Sequence, residues 1–353
     1  MEIAESISKL KRLLPKLRGK RMGVLGDLML DRYVWGTATR LSPEAAVPVV
    51  DFVSQSDRLG GAGNVAANLA TLGARVEMFG AVGTDEAGKA IERLLRAEKI
   101  GDDGVIANPK RTTTVKTRII AKHQHVVRVD REIREPLRPE TEKRLLGALF
   151  RAMKKLDALV LSDYDKGLIT DDIADRVLRA ADQLKLPVFV KPKTSKLYAY
   201  RGARAVVCNV SEAAKFVGRA LPDEKAIDEA GRALLARFGC SAVVITRGGD
   251  GMSVFEETSP RHLQIPATSF EVTYARVGKS GVEHGAGGRQ VFDVTGAGDT
   301  VLSVLALSVA AGASVADAAV LANAAAGVVV GKLGTASVSR EELEHALGEA
   351  ASG

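Results

Sequence analysis

Cysteine is nearly absent from this 353-residue chain, which holds only Cys208 and Cys240. Two thiols cannot make a disulfide framework, and these lack the paired spacing of a zinc site, so a reducing, cytoplasmic setting is expected. Aromatic residues are scarce at 4%, with a single tryptophan. The net charge of +7 therefore comes without the interleaved aromatics on which nucleic-acid bases stack, and no nucleic-acid partner is expected. No uninterrupted apolar run followed by small residues opens the chain, which argues against a signal peptide. Internal repeats at a period of 20 to 50 residues are lacking too. One long apolar stretch exists, from Val301 to Val330, with Asp317 as its only charge. Its alanines and glycines and the Gly312-Ala313-Ser314 break read as two helices of a protein core rather than a membrane span.

What is present is ordinary for a folded α/β protein: 46% hydrophobic and 26% charged residues. Lys9, Lys11, Arg12, Lys16, Arg18, Lys20 and Arg21 interleave with Ile7, Leu10, Leu13, Leu14 and Leu17 at helical spacing. The simplest reading is a surface helix covering one edge of the domain; a membrane-surface or targeting helix is the other. Glu2 and Glu5 count against a transit peptide, which is poor in acids.

The run from Met22 to Asp27 reads as a buried strand that delivers a carboxylate at its C-terminal end, where open α/β sheets place ligands. Val47 to Val53 and Val126 to Val129 alternate as exposed strands and suggest a small sheet standing off the main body. Gly60-Gly61-Ala62-Gly63-Asn64 opens a small-residue helix from Val65 to Leu72, followed by a strand from Arg75 to Gly80. Further strands are expected at Ala158–Ser162, Pro187–Val190, Ala205–Cys208 and Ala242–Thr246, with helical spacers such as Thr141–Lys155 and Asp171–Leu184. Right-handed crossovers make this a mostly parallel sheet with helices on both faces. Ser269 to Gln290 is polar and glycine-rich and reads as a surface loop. No linker divides the chain, so a single domain with a sheet-like appendage is expected over residues 1–353.

The strongest motif is Asp293-Val294-Thr295-Gly296-Ala297-Gly298-Asp299-Thr300, just before the long apolar stretch. Glycines 296 and 298 let backbone N–H groups turn toward one point, and the helix N-terminus adds its positive dipole end, so an anion would be held there. A carboxylate in such a nest suits a base that accepts a hydroxyl proton as phosphorus is attacked. An ordinary glycine-rich turn with an N-cap aspartate is the competing reading. The chain has no G-x-x-x-x-G-K-[ST] phosphate loop, and no G-x-G-x-x-G follows the first strand.

The Asp293–Asp299 segment resembles the C-terminal motif of the ribokinase-like, PfkB-type carbohydrate kinases, and Gly60 to Asn68 resembles their N-terminal glycine motif. Gly26–Tyr33, Arg40–Ala45, Lys116–Arg118, His123-Gln124, Arg128–Asp130 and Ser162–Gly167 sharpen the resemblance to the D-glycero-β-D-manno-heptose 7-phosphate kinases. The likeness runs from about residue 10 to about residue 345. It implies a ribokinase-like α/β fold with a small β-sheet lid, its strands within 33–55 and 111–131. It also implies ATP-dependent phosphorylation of the anomeric 1-hydroxyl of heptose 7-phosphate, on the route to ADP-heptose and lipopolysaccharide.

On that resemblance Asp299 is the general base, with the backbone of Gly296, Ala297 and Gly298 around the transferred phosphoryl. Asp27, Asp31, Gly61, Asn64 and Asn68 would hold sugar hydroxyls, Gly60 and Gly61 would leave room for close approach, and Asp163 would line the same side. Lys116, Arg118, Lys122, His123, Gln124 and Arg128 supply candidates for the sugar and its 7-phosphate. His123 and His125 share a strand face without a third ligand, so zinc is not expected. Asn209-Val210-Ser211-Glu212 matches an N-x-x-E element in which Asn209 and Glu212 organise Mg²⁺, partly through water. Lys193, Thr246, Arg247, Gly249, Gly251 and Asn323 would fall on the ATP side. A homodimer through the lid is a further implication.

Two departures stand out. The resembled family carries Asp-Pro-Lys where this chain has Lys191-Pro192-Lys193, a carboxylate exchanged for a cation near the expected metal site. Residues 269–290 also exceed the family's usual link. No H-x-G-H nucleotidyltransferase motif is visible, which leads to the expectation of a single-activity kinase. A PfkB-type kinase for another sugar and a non-catalytic sugar-phosphate-binding regulator are the alternative readings.

Overall fold

The computed structural model describes residues 2–121, 124–193, 200–259, 262–267, 277–278, 281–282, 294–332 and 334–349. The chain opens with α1 (Glu2–Leu17), β1 (Arg21–Gly26), β2 (Leu28–Leu41), β3 (Pro48–Gly61), α2 (Ala62–Thr71) and β4 (Arg75–Gly83). Next come α3 (Glu86–Ala97), β5 (Gly101–Asn108), β6 (Thr114–Ala121), β7 (Gln124–Arg131), α4 (Pro139–Met153), β8 (Ala158–Ser162), α5 (Asp171–Gln183) and β9 (Val188–Lys191). Then follow β10 (Ala205–Asn209), α6 (Val210–Val217), α7 (Glu224–Phe238), β11 (Ala242–Thr246), β12 (Met252–Glu256) and β13 (Leu263–Ile265). The last elements are β14 (Val277–Gly278), β15 (Gly281–Val282), α8 (Ala297–Ala310), α9 (Val315–Val329) and α10 (Arg340–Glu349).

Nine strands form the main sheet in the order β13-β12-β11-β10-β9-β8-β1-β4-β5. Neighbours from β11 to β5 run parallel, and β12 and β13 are antiparallel. Side chains of the central strands alternate between two apolar cores, one on each face. Val24, Val160, Phe189, Val207 and Val244 join one with α1, α2, α8 and α9. Leu25, Leu161, Val190, Val206 and Val243 join the other with α4, α5 and α7. This double burial explains the near-continuous apolar runs of these strands. The order reverses at β1, with β4 and β5 laid to one side and β8 to β11 to the other, so the crevice for a ligand opens at the carboxyl ends of β1 and β8.

Four strands, β3-β2-β6-β7, make the second sheet. Strand β2 starts in the core at Leu28 and ends in solvent at Leu41, and β7 is exposed along its whole length. These strands fall where the lid was expected, yet β2 and β3 are far longer than the alternating valines suggest. Pairing runs from Leu28 with Gly61 to Leu41 with Pro48, across a ribbon whose Ser54 to Arg58 half is too polar to show alternation. Val47 itself lies in the turn, where its N–H bonds the Ala45 carbonyl.

Helix α1 stops at Leu17 because Gly19 takes a left-handed φ of 79° and β1 begins at Arg21. Leu10, Leu13, Leu14 and Leu17 are buried and Lys9 pairs with Asp317 at 2.7 Å, so this helix covers the domain. Helices α8 and α9 break at the expected glycine, and both are buried along most of their length. Among the described residues no helix is long and apolar enough to cross a membrane. Most of 269–290 lies outside the described residues, but β14 and β15 within it pair as antiparallel strands rather than loop.

Candidate active site

A cavity of about 420 Å³ opens at the carboxyl ends of β8, β9, β10 and β11, and the glycine turn before α8 forms part of its wall. Gly296 caps that helix at φ 87°, and a Cβ there would lie 2.9 Å from the Asn64 amide nitrogen, so only glycine fits. Gly296, Ala297, Gly298 and Asp299 all line the cavity. The Ala297 N–H already donates to the Val294 carbonyl, over a long 3.3 Å.

Asp299 sits in the first turn of α8 with its side chain 5% exposed. Its Oδ2 accepts from Asn64 Nδ2 at 2.9 Å, and its Oδ1 accepts from the Tyr164 hydroxyl at 2.5 Å and Lys191 Nζ at 2.7 Å. Burial pushes the carboxyl up. The Lys191 ammonium, with hydrogen bonds from Lys191, Tyr164 and Asn64, outweighs burial and holds it below the usual carboxylate value. Burial and the Asp299 charge push the Tyr164 hydroxyl well above its ordinary value, so Tyr164 stays a donor.

Behind Asn64, Asn68 donates to the Asn64 carbonyl at 2.9 Å and accepts from Thr300 Oγ1 at 3.1 Å. Asn68 is fully buried and does not line the cavity. The expectation that it holds a sugar hydroxyl is therefore corrected: it braces Asn64, which reaches Asp299. Asp27 is corrected in the same way. Its Oδ2 accepts from the backbone N–H groups of Tyr164 at 2.9 Å and Lys166 at 3.2 Å, and its Oδ1 from Leu168 at 3.2 Å. Burial raises its carboxyl against these bonds and the Arg111 charge. The strand-end carboxylate thus stitches down the loop that carries Tyr164. Asp163, also expected at the sugar, is buried within that loop and accepts from the Asp165 N–H at 2.8 Å.

Asp31, Gly61, Lys116 and Arg118 do line the cavity. Arg118 and Asp31 form a buried pair at 2.6 Å, with side chains 8% and 4% exposed. Gly60 faces Asp31: a Cβ there would meet Asp31 Oδ2 at 2.5 Å. Lys116 is half-buried over the Tyr164 ring, and burial lowers its ammonium against the opposing pull of Asp31. Gln124 and Arg128 are not brought to the cavity. Both lie on exposed β7, where Arg128 forks onto its neighbour Asp130 at 2.9 and 3.1 Å. His123 and Lys122 lie outside the described residues, as does Asp293.

Across the cavity stand Lys193, Asn209, Glu212, Thr246 and Gly248. Asn209 and Glu212 form a capping box on α6: Asn209 Oδ1 accepts from the Glu212 N–H at 2.7 Å and Glu212 Oε2 from the Asn209 N–H at 3.0 Å. Glu212 Oε1 accepts from Lys193 Nζ at 3.1 Å. Val210 and Ser211 belong to the same helical turn without lining the cavity. Arg247 turns away to Glu224, Asn323 donates to the Pro266 carbonyl at 2.9 Å, and Gly249 and Gly251 shape the turn after β11. No group of three or more His, Cys, Asp or Glu among the described residues is arranged to hold a metal. Mg²⁺ bound through phosphates and water asks for only one or two protein oxygens, and Glu212 with Asn209 fits that demand.

Tyr164 and Lys191 were missed as contacts of Asp299. A tyrosine directly after the Ser162-Asp163 end of β8 was the available signal, since β8 borders the point where the strand order reverses.

A buried carboxylate at a glycine-opened helix, paired with one lysine beside a cavity lined by further cations, is the outline of a phosphotransferase. The model of the pfkB family carbohydrate kinases matches residues 21–342, and the chain belongs to that family. It is a sugar kinase with a ribokinase-like fold. It is 43% identical over 325 residues to the bifunctional protein HldE of Geobacter sulfurreducens and 42% identical over 326 residues to that of Caulobacter vibrioides. Each match covers 92% of this chain but only 62% and 63% of those relatives. Among solved structures, ribokinase of Arabidopsis thaliana, complexed with ribose and ATP, superposes with a TM-score of 0.69 at 19% identity, covering 93% of this chain and 99% of the other. Phosphofructokinase-2 of Escherichia coli, in complex with potassium, gives 0.71 at 16%, covering 94% and 99%.

Proposed function

We propose that this sugar kinase transfers the terminal phosphoryl of ATP to the anomeric 1-hydroxyl of D-glycero-D-manno-heptose 7-phosphate, giving the 1,7-bisphosphate. The observation that carries this reading is Asp299, a buried base held among Asn64, Tyr164 and Lys191 at the mouth of the α8 glycine turn. Asp299 accepts the hydroxyl proton and is held in place by Asn64, while Asp31 and the backbone at Gly61, which line the cavity, orient the sugar. Lys116, half-buried and facing the cavity, is the cation for the 7-phosphate, because an arriving anion offsets the burial that lowers it. Lys193, Asn209, Glu212 and Thr246 form the nucleotide side, and Mg²⁺ there would neutralise phosphate charge.

Support for the heptose comes from the likeness to the HldE proteins together with the segments around Asp27, Lys116 and Ser162. The test is ³¹P NMR of the product from Mg·ATP with heptose 7-phosphate, fructose 6-phosphate or ribose. A new anomeric phosphate on heptose 7-phosphate alone is expected; equal or better turnover of fructose 6-phosphate would replace this substrate with another sugar.

The same reading includes a homodimer through the lid. Leu41, Phe52, Val53, Val127 and Val129 are exposed on that sheet, with Phe52 at 66%, and a second copy of the sheet is the occupant that would cover them.

A further inference from the structure

We infer that Lys191 is a catalytic residue that contacts the transferred phosphoryl: its ammonium rests on Asp299 in the free site, and the terminal phosphoryl of a bound nucleoside triphosphate takes it over. This rests on the kinase reading above. Lys191 ends β9, in register with Ser162 of β8, and its carbonyl accepts from the Asp163 N–H at 3.1 Å, so its backbone is fixed by the sheet. Its side chain is 14% exposed and reaches into the cavity. Nζ lies 2.7 Å from Asp299 Oδ1, and a Cβ on Gly298 would stand 3.1 Å from it. The ammonium is therefore wedged between Asp299 and the glycine turn that opens α8.

The other charges around the cavity are spoken for by different partners. Arg118 is on Asp31, Lys193 is on Glu212, and Lys116 lies over the Tyr164 ring. Tyr164 and Asn64 face Asp299 from the β8 loop and α2, and among the described residues only Lys191 faces it with charge at contact distance. Lys191 and Lys193 each place an ammonium 5.3 Å from the centre of the Tyr164 ring, whose π face is attractive to a cation. A terminal phosphoryl carries more negative charge than one carboxylate and offers three acceptor oxygens, so it outcompetes Asp299 for the ammonium. Asp299 loses its cation as the nucleotide arrives and becomes the stronger base when it is needed.

In the transfer, the sugar hydroxyl oxygen forms its bond to the terminal phosphorus. The bond from that phosphorus to the bridging oxygen breaks, and its electron pair leaves with the nucleoside diphosphate. The hydroxyl proton passes to Asp299. Lys191 moves no proton; it balances the charge on the phosphoryl oxygens. The resembled kinases place a carboxylate at this position, so this chain has reversed the sign of the charge beside its base.

The experiment uses the full chain with Lys191→Met, Lys191→Gln and Lys191→Arg, each checked by its unfolding curve. Calorimetry with Mg²⁺ and a non-hydrolysable ATP analogue measures binding, and ADP release with heptose 7-phosphate gives kcat and kcat/KM against pH. Expected are a loss of analogue affinity of about tenfold or more in the Met and Gln variants, retained in the Arg variant, and a fall in kcat of about 10²-fold. The acid limb of kcat/KM, which reports the free enzyme, moves to higher pH, because Asp299 there has lost its cation. The acid limb of kcat, which reports the ternary complex, stays in place. Equal analogue affinity in wild type and the Gln variant, or both limbs moving together, would overturn the inference and leave Lys191 as a partner of the base alone. Lys191-dependent analogue binding without turnover of any sugar phosphate would sink the substrate reading and leave the inference standing.

Discussion

The two walls of the cavity are built on opposite plans. On the proposed sugar side, Asp31, Arg118 and Asp299 are buried and already bonded to one another or to supports such as Asn64. On the proposed nucleotide side, Asn209 is exposed and Glu212 and Lys193 are only part-buried, tied by a helix cap and one ion pair. The first wall is pre-organised, so it binds with little ordering cost and holds reacting groups in place. The second leaves its groups near water, which suits a polyanion that arrives with its own cation and hydration. Between them, Lys191 belongs to the buried wall by its contact and to the other by its charge.

The sharpest way to break this contrast is to remove one partner from each wall. Arg118→Met leaves the buried Asp31 carboxylate at the cavity wall without its guanidinium and is expected to cost about 3–5 kcal/mol of stability. Glu212→Gln should cost about 1 kcal/mol or less, because its pair is part-exposed, while raising KM for ATP. Urea unfolding of both variants decides; equal losses would mean the walls do not differ.

A smaller effect sharpens the comparison through pH. Asp299 is held below its ordinary value when folded, so its interactions stabilise the fold above the unfolded carboxylate value and are lost as pH falls through the lowered one. In Lys191→Gln that extra stability shrinks, and the gap between wild type and variant should be full near neutrality and close in acid. A gap that widens in acid would contradict the assigned direction.

The smallest effect is expected at the lid. Phe52→Ser should change the unfolding free energy of the body by about 0.5 kcal/mol or less, since the side chain is exposed. Light scattering should nonetheless show the assembly dissociating. A wild-type chain that is monomeric at micromolar concentration would remove the lid dimer.

Much of this was legible before any coordinates. The strands at Ala158, Ala205 and Ala242 are buried on both faces and so carry apolar runs that announce themselves. Asp299 was legible because glycines 296 and 298 interrupt the chain just before an unbroken apolar helix. The length of β2 and β3 was not, since a ribbon wet on both faces needs no hydrophobic period. Neither was the fate of Asp27 and Asn68: a carboxylate or amide of the right type at the right spacing reads the same whether it meets sugar or backbone. The pairing of Arg128 with Asp130 was present in the spacing, as strand neighbours on one face, but the choice between that partner and a phosphate is made by the exposed position of β7. The Asn209–Glu212 spacing carries two meanings at once, a helix cap and a phosphate-side pair, and the structure realises the first.

Asp299 is the proposed base of the transfer. Its most direct test is ADP release from Mg·ATP and saturating heptose 7-phosphate by wild type and Asp299→Asn, with both shown to be folded and to bind the sugar phosphate. A fall in kcat of about 10²–10⁴-fold with little change in sugar affinity is predicted. An Asp299→Asn enzyme that keeps its turnover would contradict the assignment, and the proton would have to leave by another group in the cavity.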